Sequence, residues 1–150
     1  MPNTGDILIA MRDDLAQWMQ QRGYGDAVYI TEAPFDELVS QYAIQIIPTP
    51  DTAAHPNSGL GLIRSGVDIV IWWRGLLDPM QRGTQRIAGQ TGVQPFADVL
   101  REYLVQKTFG GLMLVPMTFR NGGVVTAVPD MDGWLTIRDS YEYGYEMTWS

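Results

Sequence analysis

The stretch from Leu62 to Arg74 constrains the fold more than any other part of the chain. Val67, Ile69, Ile71 and Trp73 alternate with Asp68, Val70, Trp72 and Arg74, a period of two that sends successive side chains to opposite faces of a β-strand. Both faces turn apolar toward Arg74, the pattern of a central strand covered on both sides. A second alternating run lies near the C-terminus, where Tyr141, Tyr143, Tyr145, Met147 and Trp149 interleave with Glu142, Gly144, Glu146 and Thr148. One face of that run is aromatic and expected to be buried, the other acidic and wet.

Other segments arrange themselves around these two. Residues Thr4 to Arg22 read as a helix: Leu8, Met11, Leu15, Trp18 and Met19 share one face, Asn3 or Thr4 caps the free N–H groups, Asp6 suits the positive end, and Gly23 and Gly25 stop it. Val28 to Thr31 and Tyr42 to Ile47 read as strands, the second ended by Pro48 and Pro50, with a helical turn from Pro34 to Ser40 between them. Residues 48–61 hold three prolines with Gly, Asn and Ser, and read as a long exposed loop. Asp78-Pro79-Met80-Gln81 starts a helix that ends near Gly89. Another begins at Pro95, with Phe96, Val99, Leu100, Tyr103 and Leu104 as its core stripe and Asp98, Arg101, Glu102 and Lys107 solvated opposite. Leu112 to Phe119 reads as a strand that Pro116 makes irregular or confines to an edge. Asn121-Gly122-Gly123 then turns the chain so that Val124 to Val128 pairs back. After a turn at Pro129 to Gly133, Trp134 to Arg138 is a strand. This order predicts a single domain, residues 1–150, of the α+β class, with a mostly antiparallel sheet of about four to six strands and helices packed on one face.

Composition removes several kinds of chemistry. The chain has no Cys and only His55 as histidine, so thiolate nucleophiles, disulfides, Cys-ligated metals and multi-His metal sites are excluded. No run approaches the ~18 apolar residues of a membrane-spanning helix, and the stretch around Asp6 lacks a cationic n-region, so neither a membrane partner nor an export signal is expected. Net charge is −7, a poor match to phosphate backbones, whose binding rests on clustered Lys and Arg. The charge is uneven: residues 1–60 carry two basic and eight acidic residues, 61–110 six and four, and 111–150 two and five. A solvated acidic surface explains this pattern, and so do unlike edges that meet in an assembly.

Catalytic constellations are weak. His55, Ser58 and Asp51 are the one Ser/His/Asp set close in sequence, but they share a Pro-rich stretch without a nucleophile elbow. The acid pairs Asp13/Asp14 and Asp36/Glu37 read as helix surface, and Asp130-x-Asp132-Gly133 reads as a turn lacking the later ligands of a calcium loop. The glycines at 59, 61, 89 and 92 have no phosphate-loop spacing. We therefore expect no enzyme activity, no cofactor and no metal. Nine of the ten cations are Arg, beside five Trp, seven Tyr and eight Met, a composition suited to protein contact surfaces. Candidate interface residues are Asp51 and His55 in the Pro-rich stretch, Arg64, Trp72 and Arg74 on the central strand, Arg82 and Arg86 one helical turn apart, and Arg120, Asp130 and Asp132 around the 120–132 hairpin.

Taken together, an amphipathic N-terminal helix, Ala43-Ile44-Gln45-Ile46-Ile47-Pro48, a long loop, the Val67 to Arg74 strand, the Phe96 to Leu104 stripe, Gly133-Trp134-Leu135 and the closing Tyr-Glu-Tyr-Gly-Tyr-Glu-Met word form a recognisable order. It resembles the tail terminator, or tail-completion, proteins of long-tailed bacteriophages. The resemblance covers most of the chain and lies in element order and short words; residues 76–95, split by Gly89 and Gly92, depart from a single long helix. It implies a structural virion protein, assembled in the host cytoplasm, whose identical subunits form a ring, commonly of six. The ring caps the head-proximal end of the tail tube, stops its polymerisation and joins it to the neck. Implied partners are the chain itself, the tail tube protein and a neck protein, with DNA as passing cargo through an acidic lumen. A neck or head-closure protein of the same particle, or a small ligand-binding module or enzyme, are the alternatives open at this point.

Overall fold

The two alternating runs belong to two long neighbouring strands that pair with each other. In the computed structural model, which describes residues 4–31, 42–50, 52–54, 60–74, 93–128 and 134–148, the elements are α1 (Thr4–Gln21), β1 (Val28–Ile30), β2 (Tyr42–Pro48), β3 (Thr52–Ala54), β4 (Leu60–Arg74), α2 (Val93–Leu104), β5 (Val115–Asn121), β6 (Thr126–Ala127) and β7 (Trp134–Thr148). Strands β4 and β7 are antiparallel from Leu60 opposite Thr148 to Arg74 opposite Trp134. Around this spine the sheet runs β1-β2-β4-β7-β5, with β3 beside β4 and β6 beside β7. Only β1 and β2 are parallel, so the chain is an α+β fold with a mostly antiparallel sheet.

Register decides which side chains reach the helices. Ile63, Val67, Ile69, Ile71 and Trp73 of β4 and Ile137, Tyr141, Tyr143 and Tyr145 of β7 point to one side, where they join Ile7, Met11, Leu15, Trp18 and Met19 of α1 and Phe96, Leu100 and Leu104 of α2 in one cluster. Burial of this apolar area is the main favourable contribution to folding. Trp73 lies at the centre of a ring cluster, 4.3 Å from Tyr42, 5.1 Å from Phe96 and 5.6 Å from Tyr24 between centroids. Helix α1 ends in a Schellman motif: Tyr24 N–H donates to Met19 C=O and Gly23 N–H to Gln20 C=O, with Gly23 at φ 83°. That positive φ favours glycine, so the helix stops where the sequence places Gly23. At the other end of α1 the Thr4 hydroxyl and the Tyr145 phenol share a hydrogen bond of 2.9 Å.

Five local expectations are corrected by the structure. Residues 48–61 are in part sheet: Pro48 still belongs to β2, and Thr52 to Ala54 pair with Arg64 to Leu62 as β3. Pro48 fits because β1 pairs with Ile44 to Ile46, so no described strand on that side asks for its missing N–H. Segment 124–128 does not turn back on β5; its two-residue strand β6 pairs forward with Leu135 and Thr136 of β7. Val99 belongs outside the core stripe of α2, being 39% exposed, while Val93 and Ala97 are buried in its place. Lys107 lies beyond α2, its ammonium 3.9 Å from the Tyr103 ring centroid. Strand β5 is at the sheet edge and its register slips between Val115 and Thr118, around Pro116. Asn3, the 34–40 turn, the 78–89 helix and the 129–133 turn lie outside the described residues.

The fifth correction is Arg101, expected in solvent. Its Nε donates to Asp139 Oδ2 at 2.7 Å and its Nη2 to Oδ1 at 2.8 Å, a two-pronged pair with a carboxylate that is 2% exposed. Gly123 N–H adds a third bond to Oδ1 at 3.0 Å. A side chain at position 123 has no room, because a Cβ there would lie 2.2 Å from the Arg138 carbonyl oxygen. One buried carboxylate thus joins α2, β7 and the segment leading to β6. The neighbouring Tyr141 hydroxyl is buried with no hydrogen-bond partner, and burial, then the Asp139 charge, pushes its phenol well above the ordinary value.

A pH prediction follows with its sign. In the unfolded chain a tyrosine loses its proton near pH 10, about the ordinary value, while folded Tyr141 still holds it. The native state then binds more protons, so its contribution to stability is complete below that pH and is lost as pH rises above it. Tyr141→Phe should change stability at pH 7 by less than about 1 kcal/mol, because no hydrogen bond is removed. It should also flatten the alkaline fall in urea midpoint above pH 10. An unchanged alkaline slope in the variant would refute the assignment to Tyr141.

Candidate functional site

The sheet face opposite the helices gathers every candidate interface residue that lies among the described residues. Even-numbered residues of β4 point there, so Arg64, Trp72 and Arg74 share one face, and Arg120 reaches it from β5 through an ion pair with Glu142 of β7. Asp51, His55, Arg82, Arg86, Asp130 and Asp132 lie outside the described residues. The face divides into an apolar and a polar half.

Ala43, Val70, Trp72 and Trp134 form the apolar half, a second buried cluster with Tyr29, Ile47 and Val128 packed against it. Trp72 is only 7% exposed. Its indole N–H donates to Gln45 Oε1 at 3.1 Å, and the Gln45 amide donates onward to the Thr31 carbonyl at 3.0 Å. Most of its surface is thus already used within the chain, and Arg74, exposed beside it, is the part of the Trp-Trp-Arg run open to a partner.

The polar half is built from ion pairs that cross the sheet. Arg138 Nε and Nη2 both reach Asp68 Oδ2 at 2.6 Å, while the Ser140 hydroxyl donates to Asp68 Oδ1 at 2.8 Å. Arg64, Arg120, Asp68, Ser140, Glu142 and Thr49 line a shallow depression of about 400 Å3. Asp68 and Arg138 were not among the sequence candidates. Each sits on the wet side of an alternating strand, and only the β4–β7 register shows that they meet.

Among the described residues, ion pairs join the segments whose charges differ along the sequence. Middle-segment Arg101 pairs with C-terminal Asp139, middle-segment Asp68 with Arg138, and Lys107 lies 3.9 Å from Asp14 of the acidic N-terminal segment. Tyr103, its phenol raised by burial and then by its hydrogen bond to Asp14, sits in the same group. Among the described residues Arg22, Arg64 and Arg74 have no carboxylate partner, nor do Asp26, Glu102 and Glu146 have a cation. Two of the three unpaired arginines stand on the outer sheet face. No group of three or more metal-ligating side chains occurs among the described residues, and no described helix is long and apolar enough to cross a membrane. No protein-family model matches the chain, and no curated protein matches it.

Proposed function

We propose that the chain is a structural subunit that assembles into a ring, commonly of six copies, on the head-proximal end of a bacteriophage tail tube, ending its polymerisation and joining it to the neck. The observation that supports this reading is the pair of exposed arginines, Arg64 and Arg74, which have no carboxylate partner among the described residues and stand on the outer face of β4 in a chain of net charge −7. Guanidinia kept open on a rigid strand suit the acids of another protein, because rigid placement lowers the ordering cost of a contact. Partner contact on this face is assigned to the tail tube or neck protein, and DNA passes elsewhere as unbound cargo.

Electron microscopy of the purified protein at several concentrations tests the assembly. Closed rings are expected, and particles that stay monomeric throughout would overturn it. Antibody labelling of assembled particles tests the position, with label expected at the head-proximal end of the tail; label at another place on the particle would refute the role.

A further inference from the structure

A groove of about 370 Å3 lies between the C-terminal end of α1 and the N-terminal turn of α2, on the side of the fold away from the outer sheet face. Its walls are Trp18, Tyr24, Pro95 and Phe96, with the exposed Val99 at its rim. The Arg22 guanidinium lies 4.7 Å from the Trp18 ring centroid, a cation–π contact that holds it over the groove while leaving its N–H groups to solvent. Trp18 is 4% exposed and its indole N–H is buried without an acceptor. No Asp or Glu is found among the described lining residues. An apolar trough carrying a cation that has no carboxylate partner among the described residues is chemically matched to a carboxylate with an aliphatic neighbour.

We infer that this groove receives Glu146 of an adjacent copy of the chain. Glu146 is exposed and without a cation among the described residues, and it stands opposite Leu62 in the β4–β7 ladder, so a carboxylate and an aliphatic side chain project together. Its position is the decisive point. The Thr4–Tyr145 hydrogen bond fixes this corner at the N-terminal end of α1, whereas Arg22 follows the C-terminal end, about 27 Å away at 1.5 Å per residue. Within one molecule the two cannot meet. Between neighbours they make a head-to-tail contact of unlike patches, the kind that closes rings. The contact rests on the ring assembly proposed above and names its subunit interface.

Both residues are exposed, so substitutions there leave the fold intact, which circular dichroism would verify. Arg22→Glu and Glu146→Arg should each weaken self-association about ten-fold or more in sedimentation velocity. The double exchange, which restores opposite charges, should bring it back to within about three-fold of the parent. Rings in the parent with undiminished association in either single variant would overturn this contact while leaving the ring standing. Double-variant association no better than that of the singles would do the same, whereas a parent that stops at a two-fold dimer would overturn the ring and this contact together. A parent that is monomeric at every concentration would overturn the ring, and this contact with it.

Discussion

Arg101→Met is expected to destabilise the chain by about 3–5 kcal/mol, the range for removing one partner of a buried ion pair. With a typical urea dependence, that corresponds to a midpoint lowered by about 1.5–3 M. The size comes from what is left behind. Asp139 is 2% exposed, and Arg101 supplies two of the three hydrogen bonds that its carboxylate receives. Without the guanidinium, a charge buried beneath α2 keeps only the Gly123 N–H, so it must take up a proton or draw in water, and both weaken the native state. The companion change Arg101→Met with Asp139→Leu removes the stranded charge and should recover most of the loss, since buried pairs exchange well for apolar side chains of similar volume. Arg120→Met is the control. Its pair with Glu142 is half exposed, and its loss should stay within about 1 kcal/mol. An Arg101→Met midpoint indistinguishable from that of Arg120→Met would show that Asp139 is solvated in the native state, contrary to its placement here.

The same pair marks where the fold stops being legible from sequence. Strands β4 and β7 could be read residue by residue because their alternation is long and their two faces differ: Val67 to Trp73 in odd positions matched the helix-covered side, and Val70 with Trp72 produced the second apolar face. Helix α1 was equally open, since its apolar stripe and Gly23 stop are local signals. Arg101 was not, because an arginine on the polar side of an amphipathic helix looks solvated until a carboxylate 38 residues later is brought beneath it. Strand β3 failed differently. Thr52-Ala53-Ala54 carries no pattern of its own and lies near prolines that normally end ladders; its pairing comes from the extra length of β4, which offers Leu62 to Arg64 as an edge. For the candidate interface, type and strand were readable for Arg64 and Arg74, but which of ten cations stay unpaired is a property of register across the sheet.

The second large effect is expected at Trp73, where Trp73→Ala should cost about 3–5 kcal/mol, the range for truncating a buried aromatic in a core that only partly collapses. Trp73 is 3% exposed and packs against Tyr24, Tyr42 and Phe96, which come from the turn after α1, from β2 and from α2. Removing it opens a cavity shared by three elements rather than one, so relaxation of any single element cannot fill it. Trp72, one residue away, provides the internal comparison. Its change to Phe keeps most of the apolar area on the second face and removes the donor to Gln45, whose buried amide oxygen then lacks that bond. A loss of about 1–3 kcal/mol is expected there, the range for an unsatisfied buried polar group. Urea unfolding of both variants, followed by circular dichroism, tests the order. Equal losses would mean that the two sheet faces are packed alike; a Trp73→Ala loss below that of Trp72→Phe would place the main core on the outer face, against the helix-side cluster. If the expected order holds, a partner can dock on the outer face, at Arg64 and Arg74, without drawing on the packing that keeps the chain folded.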